Sequence, residues 1–126
     1  GYTGWAAYRR SKLANILFTY ELARRLRGTP VTANALHPGF VASRFGLNNG
    51  AFFRAAVGVA FAFSGISVEK GAETPVHLAS SPDLEGVSGK YFYQKRPIPS
   101  SPQSMDEAAQ PRLWETSETL TAGSRS

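Results

Sequence analysis

Tyr8-Arg9-Arg10-Ser11-Lys12-Leu13-Ala14-Asn15-Ile16-Leu17-Phe18, with its continuation to Leu26, is the stretch that decides how this chain is read. From about Trp5 to Leu26 there is neither glycine nor proline, and Leu13, Ile16, Leu17, Tyr20, Ala23 and Leu26 recur at helical spacing. Ala14, Phe18 and Leu22 widen the apolar face, which predicts a helix covered on more than one side by a sheet, a partner subunit or both. Arg24, Arg25 and Arg27 crowd the last turn, where positive charge suits the helix dipole. Gly28 suits a left-handed cap and Pro30 prevents continuation.

Val31-Thr32-Ala33-Asn34-Ala35-Leu36 follows, small and β-branched on both faces, which predicts a short buried parallel strand. His37-Pro38-Gly39 breaks it. A helix, a tight Gly–Pro turn and a buried strand read together as half of a βαβ unit, and so as an α/β fold. In open α/β sheets, ligands bind beyond the carboxyl ends of the strands, and a Pro–Gly there lets backbone approach a ligand closely.

The remaining segments are read more coarsely. Ala51 to Ile66 is apolar except for Arg54 and Ser64, which predicts one or two short helices as core or lid. It lacks the basic polar face of a membrane-surface helix. Ser67 to Ala79 predicts a further helix, capped by Ser67, with Ala72, Val76 and Ala79 as its apolar face. Gly89 to Tyr93 reads as a short strand, and Pro97, Pro99 and Pro102 as an irregular crossing segment. Met105 to Leu120 predicts a last helix interrupted by Pro111 and anchored by Leu113 and Trp114, with Asp106 and Glu107 favouring its dipole. No internal repeat and no domain boundary is visible, so residues 1–121 are taken as one domain portion and 122–126 as a frayed tail.

Composition narrows the function. With 42% apolar residues in 126, the chain is an ordinary globular one. Lys and Arg exceed Asp and Glu by 14 to 9, a net charge of +5, but the basic residues form no aromatic-bearing stripe of the kind that binds nucleic acid. The absence of cysteine excludes a disulfide framework and thiolate metal sites, and fits a cytoplasmic protein. No secretory signal opens the chain, and no run of about 18 apolar residues predicts a membrane span. His37 and His77 are the only histidines, 40 residues apart and without an H-E-x-x-H helix, so no metal is expected. No G-x-S-x-G elbow supplies a hydrolase nucleophile.

The chemistry rests on Tyr8 and Lys12, four residues apart and therefore one turn apart on one helix face. A free phenol, with a pKa of about 10, is a poor base near neutrality. A buried ammonium about 5 Å away, at an effective dielectric of about 20, favours the phenolate by roughly 3 kcal/mol. Such a pair can exchange a proton with a substrate hydroxyl or carbonyl. Spacing alone is weak, because Tyr and Lys at i, i+4 commonly form a solvated helix face. Here the pair opens a long apolar helix that feeds a strand ending in Pro38-Gly39.

Tyr8-x-x-x-Lys12 followed by Ala35-Leu36-His37-Pro38-Gly39-Phe40-Val41-x-Ser43 resembles the short-chain dehydrogenase/reductase superfamily. Ser11-Lys12-Leu13-Ala14-Asn15, Glu21 to Leu26, Gly71-Ala72-Glu73-Thr74 and Ser88-Gly89-Lys90-Tyr91-Phe92 look like its retinol-dehydrogenase-like branch. The resemblance covers roughly residues 1–120. It implies the C-terminal portion of a Rossmann-type doubly wound parallel sheet, with the N-terminal half absent. It further implies an NAD(P)-dependent oxidoreductase that moves hydride between a nicotinamide and an alcohol or carbonyl.

The resemblance also assigns roles. Tyr8 would be the catalytic acid/base, and Lys12 would tune it and hydrogen-bond the nicotinamide ribose. Pro38, Gly39 and Val41 would present backbone to the cofactor, and Ser43 stands where the family often has Thr. Phe40 and residues 44–66 would form the substrate loop, whose apolar character suits a hydrophobic substrate. The first helix would pair with a second subunit. The family's Gly-rich turn, its Asn-Ala-Gly segment and its catalytic Ser all precede the Tyr, and none lies in these 126 residues. The expectation is therefore an enzyme segment impaired by itself. The alternative is a non-catalytic module that uses the first helix to pair with itself or with an intact relative.

Overall fold

The structure is a computed structural model that describes residues 3–39 and 65–123. Helix α1 spans Gly4–Arg25, strand β1 Ala35–His37, helix α2 Val68–Ser80, strands β2 and β3 Tyr91–Tyr93 and Arg96–Ile98, and helix α3 Ala109–Ala122. The strands form one sheet in the order β1-β2-β3. The chain is mixed α/β, compatible with part of a Rossmann-type fold. It divides into two compact units, one of residues 1–35, 84–91 and 97–126, the other of residues 36–83 and 92–96.

In the first unit, α1 begins where Thr3, in extended backbone, accepts the Ala6 N–H on its side chain at 3.3 Å. It stops as its sequence indicates, with Gly28 left-handed at φ +83°. Its burial is narrower than the apolar pattern predicts. Leu17, Glu21 and Ala23 are buried, whereas Phe18 keeps 37% of its surface exposed. Helix α3 covers the C-terminal half, where the Phe18 and Trp114 rings stack with centroids 4.8 Å apart. Arg24 and Arg25 do more than face the helix dipole. Both donate to the buried Glu21 carboxylate at 2.8 Å, and Arg24 also donates to Gln110 on α3.

Two strands depart from the sequence reading. The predicted strand Val31–Leu36 has regular strand geometry only from Ala35, and it is not deeply buried, since Val31 is 57% exposed. Backbone pairing reaches back to Ala33, whose carbonyl accepts the Gly89 N–H at 2.8 Å, while the Ala35 N–H donates to the Lys90 carbonyl at 2.9 Å. Between them the Asn34 side chain adds two bonds, its Nδ2 donating to the Val87 carbonyl at 2.8 Å and its Oδ1 accepting the Lys90 N–H at 3.0 Å. The predicted irregular segment contains β3, exposed throughout. Pro97 sits in it because an edge strand leaves one side unpaired, so a missing N–H is tolerated there.

Both later helices sit where expected, with different details. Ser67 caps α2, its Oγ accepting the Lys70 N–H at 3.1 Å. The buried face of α2 is Gly71 and Thr74, not Ala72, Val76 and Ala79, which are exposed. Hydrophobicity misleads here because Thr74 is buried with its hydroxyl satisfied, accepting the Lys95 N–H at 3.2 Å. Pro111 does not interrupt α3, because the helix starts at Ala109 and Pro111 lies in its first turn. The N–H groups there have no intrahelical partner, so proline removes nothing. Asp106 satisfies two of them, its Oδ1 accepting from Ala108 and Ala109 at 2.9 and 3.0 Å. The helix continues through Ala122, the first residue of the expected frayed tail.

Candidate active site

Tyr8 and Lys12 lie on the first turns of α1, in the first unit. The Lys12 Nζ stands 5.4 Å from the centroid of the Tyr8 ring, so the helix brings the pair together as the spacing requires. The Trp5 ring stacks on Tyr8 with centroids 5.6 Å apart and planes 17° apart. Trp5, Tyr8 and Lys12 thus form a ladder at i, i+3 and i+7, with the phenol flanked by an indole and an ammonium. The part played by Trp5 was not read from the sequence, although its i−3 spacing from Tyr8 is a visible signal.

The environment differs from the expectation in one respect. The ammonium was expected to be buried, yet Lys12 is exposed and Tyr8 retains 37% of its surface. A cation–π contact at that exposure is worth about 0.5–1 kcal/mol. The Ser11 hydroxyl donates to the Tyr8 carbonyl at 2.7 Å, so Ser11 is engaged with backbone.

Pro38 and Gly39 belong to the second unit and follow β1 directly. Gly39 is left-handed at φ +86°, and a Cβ there would stand 3.2 Å from Ile66 Cδ1. Any side chain at this position would be strained by its backbone and crowded by Ile66. The turn is therefore restricted to glycine by its own backbone and by Ile66. His37 stacks on Tyr93 at 5.4 Å and presents Nδ1 to the Gly39 N–H at 3.4 Å. Neither ring's role was read from the sequence. Val41 and Ser43, together with Phe40 and the apolar substrate-loop segment, lie outside the described residues.

Among the described residues, two ionisable groups elsewhere are perturbed. Glu73 on α2 is held below the usual carboxylate range, chiefly by the hydrogen bond from Lys70, with the Lys95 charge helping. Burial pushes the Tyr91 phenol up, and the neighbouring Tyr20 adds to the rise. Tyr20 and Tyr91 line an open groove of about 850 Å³ in the first unit, with Arg24, Arg27 and Lys90. Tyr20 is twelve residues beyond Tyr8, about 18 Å along the helix, so this groove is separate from the Tyr8–Lys12 pair. Among the described residues no cluster of metal-ligating side chains forms, and no helix is long and apolar enough to cross a membrane.

No family model matches the chain. Curated relatives do. It is 48% identical over 127 residues to retinol dehydrogenase 14 of Homo sapiens, which accounts for 90% of this chain and 34% of that protein. It is 43% identical over 119 residues to retinol dehydrogenase 13 of Mus musculus, covering 91% and 36% respectively. It is 42% identical over 111 residues to retinol dehydrogenase 12 of Mus musculus, covering 88% and 34%. The chain spans about a third of the length of the curated relatives it matches.

Proposed function

Because this chain belongs to the short-chain dehydrogenase/reductase superfamily, in its retinol-dehydrogenase-like branch, we propose that it supplies the proton-transfer part of an NAD(P)-dependent oxidoreductase acting on a hydrophobic alcohol or carbonyl compound. The observation that carries this reading is the Lys12 ammonium 5.4 Å from the Tyr8 ring, in a chain 48% identical to a retinol dehydrogenase. The relatives' names make retinol and retinal the first substrates to try.

When bound, the nicotinamide cofactor accepts or donates the hydride. The chain's own residues do the rest. In the oxidising direction the Tyr8 phenolate takes the hydroxyl proton as the carbon loses hydride. In the reducing direction the Tyr8 phenol gives that proton to the carbonyl oxygen. Lys12 offers N–H donors to the ribose hydroxyls. By the resemblance, Pro38, Gly39, Val41 and Ser43 would be the residues that contact the cofactor. The site needs a dinucleotide-binding front, with its Gly-rich turn and Ser, which these 126 residues do not contain. The chain by itself therefore turns over little.

The test is a retinal reductase and retinol dehydrogenase assay of the full-length protein with NADPH, NADH and their oxidised forms. Tyr8→Phe and Lys12→Met should each lower kcat by about 10²–10⁴, the usual contribution of a positioned general acid or base. Unchanged turnover in Tyr8→Phe would remove Tyr8 from the mechanism.

A second reading is a non-catalytic pairing module. It is favoured by α1, which leaves Trp5 68% and Phe18 37% exposed. Light scattering that finds only monomer, with or without the full-length relative, would eliminate it.

A further inference from the structure

The Gln94–Lys95 turn between β2 and β3 holds two consecutive non-glycine residues in left-handed backbone, at φ +48° and +64°. Two-residue hairpins of this kind match the strand twist, but they favour Asn-Gly or Gly-Gly because other residues are strained there. A turn built from Gln and Lys therefore needs support from outside itself, and α2 provides it. The buried Thr74 Oγ1 accepts the Lys95 N–H at 3.2 Å. The Glu73 carboxylate lies 3.5 Å from Lys95 Nζ and 3.3 Å from Lys70 Nζ.

The residue entering this turn is Tyr93, and Tyr93 carries the support onward. Its ring stacks on His37 with centroids 5.4 Å apart and planes 25° apart. It also lies 3.9 Å from the place a Gly39 Cβ would occupy. His37 in turn presents Nδ1 to the Gly39 N–H at 3.4 Å. A bond that long orients weakly, so the aromatic stack does more to hold the imidazole. All of these groups belong to one compact unit.

We infer that Thr74 is a positioning residue: by pinning the Gln94–Lys95 turn it sets the Tyr93 ring, and through the His37 stack it fixes the Pro38–Gly39 backbone. The consequence for catalysis rests on the reading of Pro38–Gly39 as the cofactor's seat. Thr74 touches neither cofactor nor substrate in this scheme. It acts through Lys95, Tyr93 and His37.

The experiment uses the full-length protein, labelled with ¹⁵N. Gly39 amide and His37 ring-nitrogen resonances are recorded for the natural sequence, Thr74→Val and Thr74→Ser, alongside steady-state kinetics in NADPH and NADH. Thr74→Val, which keeps shape and loses the acceptor, should move both resonances. It should also raise the cofactor KM about fivefold, the effect of one lost hydrogen bond, with kcat changed less. Thr74→Ser should restore both. If Thr74→Val does not fold, Tyr93→Leu interrupts the same relay from its other end and should move the same two resonances. Unmoved resonances in either folded variant overturn the inference. Resonances that move while the cofactor KM stays constant support the positioning and overturn the functional reading of Pro38–Gly39 instead.

Discussion

The ring of Phe18 on α1 stacks on the ring of Trp114 on α3, 4.8 Å between centroids and 18° between planes. The Arg25 guanidinium lies over the same indole, 4.6 Å from its centroid. Trp114 thus joins the two helices through two ring contacts. Trp114→Ala should lower stability by about 3 kcal/mol, read from urea unfolding. Trp114→Phe should cost far less, because among the described residues the buried Nε1–H has no hydrogen-bond partner, and its removal leaves nothing there unsatisfied. A Phe variant as unstable as the Ala variant would show that the indole's polar edge matters.

Glu21 makes a separate prediction. Its carboxylate is buried and receives both Arg24 and Arg25 at 2.8 Å, while Arg24 reaches Gln110, whose Nε2 donates to the Ser104 carbonyl at 2.9 Å. Glu21→Gln removes the charge that both guanidinium groups face. The arginines are partly exposed, at 30% and 42%, so water compensates in part. The expected loss is about 2 kcal/mol, below that for a fully buried pair. Differential scanning calorimetry that finds no change in Tm would reduce this network to a surface ornament.

At Gly39, alanine meets two obstacles: φ +86° and Ile66 Cδ1 at 3.2 Å. Gly39→Ala should cost about 1–3 kcal/mol, the usual penalty for forcing a side chain into sparsely populated backbone. Ile66→Val in the same chain should relieve the crowding and leave the backbone term. A double variant as unstable as Gly39→Ala by itself would assign the whole cost to the backbone.

Tyr91 predicts an alkaline limb. Its phenol is raised from the usual 10.0 by burial, with Tyr20 adding to the effect. The folded state therefore prefers the neutral phenol more than the unfolded chain does. That contribution is fully present below about pH 10 and is lost as pH rises through the displaced value. Stability of the natural sequence should fall more steeply than that of Tyr91→Phe between about pH 9 and pH 11. Parallel curves would place the alkaline loss elsewhere.

Several features were legible before any coordinates. Local rules govern them: the apolar period and Gly28 end for α1, the Ser67 cap for α2, and the Pro38-Gly39 break after β1. The spacing of Tyr8 and Lys12 places them one turn apart on any helix, whatever surrounds it. Other features were not legible, because each depends on a partner distant in sequence. Thr74 looks like an exposed polar residue until Lys95, 21 positions away, donates to it. Asn34 bonds through its side chain to Val87 and Lys90, more than 50 positions away. The Gln94–Lys95 hairpin carries no Asn-Gly signature and depends on α2 for support.

By itself, then, the sequence determined the extent of α1, the cap of α2, the one-turn spacing of Tyr8 and Lys12 and the family resemblance, since these follow from periodicity, capping and motif spacing along one chain. Only the tertiary structure decided how much of α1 is buried, that Lys12 stays in water, which face of α2 turns inward, and that His37 and Tyr93 brace Gly39. Burial and long-range hydrogen bonds are properties of neighbours brought together by folding. No local pattern encodes them, because the same residue type is satisfied by water in one setting and by a distant backbone group in another.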